Sequence, residues 1–89
     1  PGFDARNFST AAQFCATNKI NLDEALVWAN QAMDPNLGGS EDFNALFVKS
    51  QVLTAMGKEA DANAAMDKAI KIAREKIFKK FLSLIILLF

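Results

Sequence analysis

The feature that most constrains this chain is a match of the sequence to itself. Ala25, Ala29 and Ala32 line up with Ala62, Met66 and Ala69 at a constant offset of 37. Upstream, Phe8, Ala12, Gln13 and Cys15 line up with Leu46, Ser50, Gln51 and Leu53 at an offset of 38. An extra residue inside a helix rotates everything after it by roughly 100°, so the one-residue slip belongs in a turn. Two helix–turn–helix units of that length are a helical repeat. A lone hairpin leaves an apolar face bare, so the units must stack on one another.

Hydrophobic spacing supplies the helices. Phe8, Ala11, Ala12 and Cys15 fall at i, i+3, i+4 and i+7 and predict a first helix over 6–17. Asn21, with Glu24 three residues on, reads as the N-cap and capping box of a second helix. That helix runs from Leu22 to about Met33 and is closed by Asp34-Pro35. Pro35 to Gly39 reads as a loop, and Ser40 as the cap of a third helix with Glu41 and Asp42 in its positive first turn. Phe43, Leu46, Ser50, Leu53 and Met56 form the third stripe, and Gly57 reads as the left-handed residue past its end. Ala62, Met66, Ala69, Ile70 and Ala73 mark a fourth helix from Lys58. Ile77, Phe81, Leu84 and Leu88 read as the same face carried on to about Leu87 without a Pro or Gly. The composition agrees, with Ala abundant and β-branched residues sparse before the C-terminus.

Ala25-x3-Ala29-x2-Ala32 and Ala62-x3-Met66-x2-Ala69, with Asp34-Pro35 behind the first, resemble the second helix of the tetratricopeptide family. Leu22-Asp-Glu-Ala25 and Gly57-Lys-Glu-Ala-Asp-Ala62 resemble that family's turn into it. The resemblance covers about residues 6–73. It implies an all-α single domain over 1–89: two tetratricopeptide-like helix–turn–helix repeats, 6–34 and 41–74, and a long apolar C-terminal helix extension, 75–89. It also implies a right-handed stack whose concave face comes from helices one and three. The expected contact residues are Arg6, Ser9 and Gln13 from the first helix, and Asn44, Phe47 and Gln51 from the third. Two amides beside an aromatic suit recognition of a peptide backbone. The partner class expected is therefore a protein or peptide. A second, weaker resemblance is to the helical C-terminal end of a group of bacterial, envelope-associated proteins. It is carried by Phe14-Cys15 and by Asn21-Leu-Asp-Glu-Ala-Leu-Val-Trp-Ala-Asn30 and implies no activity; a bacterial envelope or periplasmic setting is the only localisation it suggests.

The last nine residues, from Phe81 to Phe89, hold eight apolar side chains. They span roughly 14 Å against a bilayer core of roughly 30 Å, too little for a complete crossing. An apolar helix end in water is covered by something. The cover expected is the chain's own groove or a second copy, with self-association preferred, meeting at Ile77, Phe81, Leu84, Ile85 and Leu88. The alternatives are a truncated membrane helix with Lys79-Lys80 as its positive flank, an accidental gene end, and a lipid contact through the basic run from Lys68 to Lys80.

Chemistry is not expected. The sequence has no His and one Cys, which removes Ser–His and Cys–His pairs and a structural zinc site, and no cofactor or metal is called for. The carboxylates Asp23/Glu24 and Glu41/Asp42 sit where a helix dipole accounts for them. Gly38-Gly39-Ser40 reads as a capping loop and Cys15 as core. Ten basic residues balance ten acidic ones, so no global charge draws the chain to nucleic acid. The sequence opens on Pro1 with no Met and no leader pattern, and is read as a piece of something longer.

Overall fold

The computed structural model describes residues 5–89, with side chains from Arg6 onward; Pro1 and the rest of 1–4 lie outside the described residues. The described chain is all-helical, in the order α1 (Ala5–Asn18), α2 (Leu22–Gln31), a 3-10 turn (Pro35–Leu37), α3 (Phe43–Ala55) and α4 (Glu59–Leu88). Both hairpins form. α1 packs on α2, α3 on α4, and α3 also packs against both α1 and α2, filling the groove between them.

Small side chains make that seating close. Ala12, Cys15, Ala16, Ala25 and Ala29 form one buried cluster with Val48 and Val52 of α3. Leu53 joins Ala62 and Ala65 in a second cluster between α3 and α4. α3 therefore has two buried faces. Leu46, Ser50 and Leu53 look toward α4, as the sequence stripe anticipates, while Ala45, Val48 and Val52 look toward the first hairpin. Val48 and Val52 are the largest fully buried side chains among the described residues. The buried hydroxyl of Ser50 is satisfied, donating to the Phe47 carbonyl at 2.7 Å and touching Met66 Sδ at 3.8 Å.

The helix ends hold three differences from the sequence reading. Asn21 stands at the N-cap position of α2, as expected, but at φ 46 and with no side-chain bond to the helix, so no capping box with Glu24 forms. α2 ends at Gln31, with Ala32 and Met33 in a turn that leads to Asp34, whose carboxylate accepts from Asn36 N–H at 2.9 Å. Ser40 does not cap α3. Asp42 does, accepting from Ala45 N–H at 2.9 Å, and Ser40 Oγ donates to the Asp42 carboxylate at 3.2 Å.

α1 and α3 close in the same way. Ile20 N–H bonds to Cys15 carbonyl at 3.0 Å, and Lys58 N–H bonds to Leu53 carbonyl at 2.9 Å. These are Schellman closures, which need a left-handed residue just before the bonded N–H. Gly57 fills that place at φ 80, as the sequence reading expects, and Lys19 fills its repeat mate at φ 53. The slipped residue of the repeat is Asn21, a second left-handed position in the same turn. A left-handed non-Gly residue costs about 1–2 kcal/mol, and glycine's added unfolded-state entropy returns about 0.5–1 kcal/mol of that. Lys19→Gly is therefore expected to stabilise the fold by about 0.5–1 kcal/mol, read as a higher urea midpoint; a lower midpoint would contradict the closure.

α4 leaves the body of the molecule. Its 30 residues run roughly 45 Å. Ala62, Ala65 and Ala69 are buried, Ile72 and Ala73 are half-buried, and the same face then runs out to exposed Lys76 and Lys80. The stripe of Ile77, Phe81, Leu84 and Leu88 does not continue that face, as the sequence reading has it. At 100° per residue it is turned from it by roughly 100°. Ile70, counted with the core stripe from sequence, belongs to the turned one and is exposed.

Candidate interaction surfaces

The six residues expected on the concave side lie along α1 and α3, but they do not all face solvent. Gln13 Nε2 donates to Gln51 Oε1 at 2.9 Å, so these exposed amides join the two helices side by side. Phe47 is half-buried and stacks on Phe43 with ring centroids 6.2 Å apart. Ser9 is buried at 8% exposure and is not a surface residue. It lies under the side of α1 that packs on α3, a position that helix periodicity alone does not reveal. Arg6 and Asn44 are exposed and border a small recess with Ser9, Gly39 and Asp42.

A larger groove of about 500 Å³ lies between the C-terminal half of α1 and α3, lined by Ala16, Thr17, Lys19, Phe47, Ser50, Gln51, Thr54 and Ala55. Phe47 and Gln51 were anticipated in it; Thr17, Lys19 and Thr54 were not. The offset of 38 sets Ala16 against Thr54 and Thr17 against Ala55, so the repeat itself carried the signal that this pair of turns faces one groove. The lining mixes an aromatic, an amide, three hydroxyls and one ammonium, which suits a polypeptide with both apolar and backbone groups to offer.

α3 and α4 also form a smaller recess walled by Glu41, Lys49, Asp61 and Lys68 around Leu46, Leu53 and Ala65. Lys68 Nζ and Glu41 carboxylate close it with an exposed ion pair at 2.8 Å. Such a pair adds little stability in water, but it keeps that flank polar.

The third surface is the distal half of α4. Ile77 is 68% exposed, Leu84 59% and Leu88 82%, with Phe78, Phe81, Leu82, Ile86 and Leu87 also open to solvent. Ile85 is half-buried and lies beside the stripe rather than on it. Within one chain the segment does not fold back onto the groove, so of the covers expected for it packing on the chain's own groove is not what forms. No helix among the described residues is long and apolar enough to cross a membrane.

Among the described residues no group of three or more Cys, Asp or Glu side chains is placed to hold a metal ion. Cys15 is buried in the first cluster and Trp28 half-buried against it. No family model matches this chain, and neither the curated proteins nor the solved structures compared with it give a match.

Proposed function

We propose that this chain is a non-catalytic binding module that receives an extended peptide or a helix in the groove between α1 and α3. The reading rests on the tetratricopeptide-like repeat in the sequence. The single observation that supports it best is the groove of about 500 Å³ with Phe47 and Gln51 in its wall. Phe47 offers apolar area and Gln51 an amide beside it, on a helix held rigid by two buried faces. Asn44 and Arg6 extend the same side of the molecule toward the N-terminus of α3.

The test is selection from a displayed library of random peptides against the folded chain, followed by affinities for single substitutions. Phe47→Ala is expected to weaken selected peptides at least tenfold, and Asn44→Ala with Gln51→Ala to weaken them further, with helicity unchanged by circular dichroism. Peptides that bind all variants equally would place the site elsewhere.

A second reading, assembly through the C-terminal helix, is favoured by the open apolar surface of α4 beyond Lys76. An unpartnered patch of this kind on a small chain marks a contact surface.

A further inference from the structure

The two hairpins differ in one respect that bears on the bare helix. Ser9, Ala12, Ala16 and Ala29 of the first hairpin are buried on the side that takes up α3. Their repeat mates on the second hairpin are Phe47, Ser50, Thr54 and Met66. There Thr54 is exposed, and Phe47 and Met66 are half-buried. Ile70, one turn beyond Met66, is 37% exposed. The second hairpin thus carries the same helix seat as the first with no helix of the chain laid over it: Phe47 and Met66 line it with larger apolar groups, Thr54 adds a hydroxyl, and Ser50 lies buried beneath them.

α4 supplies both a wall of this seat and the bare stripe beyond it. Met66, Ile70, Ala73, Ile77, Phe81, Leu84 and Leu88 follow one another at spacings of four, three, four, four, three and four. That series reads the same in both directions about Ile77. Two such helices laid antiparallel bring Met66 opposite Leu88, Ile70 opposite Leu84, Ala73 opposite Phe81 and Ile77 opposite itself. Every facing pair is apolar, and the bulkiest side chain of the stripe meets the smallest.

We infer that two copies of this chain associate about a two-fold axis at Ile77, each laying the distal half of its α4 in the uncovered seat of the other. The contact is isologous, so the same surface serves both partners and the assembly closes at two. The interface of α3 with the first hairpin is its template within the chain. The stacked rings of Phe43 and Phe47 belong to α3 beside the seat, so the incoming helix is covered on a second side. That suits a segment whose apolar groups, such as Phe78 and Leu82, extend past a single stripe. The seat shares Phe47, Ser50 and Thr54 with the groove proposed for a peptide, so the partner's helix and a peptide compete there; the association is argued from α4 and not from a peptide ligand, and failure of a peptide selection leaves it standing.

Cysteine cross-linking tests the register in the full chain with Cys15→Ala. Ile77→Cys alone is expected to give a covalent dimer on mild oxidation, because the axis sets that residue beside its own copy. Ile70→Cys alone and Leu84→Cys alone are expected to stay uncross-linked, while a mixture of the two gives a mixed dimer. All three positions are exposed, so the substitutions leave the core intact. Sedimentation of the unmodified chain is expected to give about twice 9.7 kDa. Self-linking of Ile70→Cys and Leu84→Cys would show a parallel pair and overturn the proposal. So would a single-chain mass, or a chain that stays monomeric and binds phosphatidylglycerol vesicles through its tail.

Discussion

Ala29→Leu is expected to lower the unfolding free energy by about 3 kcal/mol, the upper end of the usual cost of over-packing. Ala29 is fully buried in the cluster that joins α1 and α2 to Val48 and Val52. The close approach of α3 to the first hairpin depends on its having no more than a Cβ. Leu adds three heavy atoms where no space is left, and α3 must move outward. Its repeat mate gives the control. Met66 is a larger residue at the matching place, half-buried because no further helix covers it, and Met66→Ala is expected to cost about 1 kcal/mol, below the range for a fully buried Met. Urea unfolding followed by Trp28 fluorescence and helical ellipticity measures both. Folded domains hold only about 5–15 kcal/mol in reserve, and small ones tend to the low end, so Ala29→Leu should move the midpoint far. Equal losses at the two positions would mean that the two hairpins sit in equivalent surroundings, and that the seating of α3 is misread.

Gly39→Ala has the second largest expected effect, about 2–3 kcal/mol. A Cβ at Gly39 would overlap the backbone carbonyl of Ala32, with the Asp34 nitrogen 3.1 Å away. Neither neighbour is the free end of a side chain. The backbone is held in place, since Gly39 N–H bonds to Asp34 carbonyl at 2.9 Å and Leu37 N–H to the same oxygen at 3.0 Å. Relief therefore means opening the link between α2 and α3. Gly38→Ala separates this steric demand from a conformational one. Gly38 has open space around it but lies at φ 80, so its substitution should cost only about 1–2 kcal/mol. Thermal unfolding of the two variants is expected to rank Gly39→Ala lower, and the reverse order would contradict the close approach.

Much of the architecture was legible because it rests on residue size and on punctuation. The Ala rows at offset 37 mark where helices touch, Gly57 marks the stop of α3, and Asp34-Pro35 marks that of α2 to within a few residues. The second buried face of α3 was not legible. Along Ala45-Leu46-Phe47-Val48-Lys49-Ser50-Gln51-Val52-Leu53 apolar groups occur on both sides of the helix, and a search for one stripe returns only one. The missing side-chain cap bond at Asn21 and the displacement of Ser40 as the cap have a related reason. Asn favours both an N-cap and a left-handed turn, and at Ser40 a second capping residue, Asp42, lies two positions on. The tail stripe was misplaced because an unbroken apolar run carries no mark of where the body of the protein ends. In the candidate groove, Gln13 and Gln51 could be paired from sequence as repeat mates. Ser9 was misassigned because burial there is decided by a third helix, not by α1.

Packing each helix mainly on its neighbours in sequence has a kinetic consequence. Of the extensive interfaces among the described residues only that of α1 with α3 joins helices that are not sequence neighbours, so the topology keeps the mostly local contacts of a fast folder. α3 alone packs extensively against all three other helices, which makes its amides the last to exchange with deuterated solvent. The distal half of α4, lacking such contacts within the chain, exchanges by simple fraying, and slow exchange there reports directly on whatever comes to lie against it.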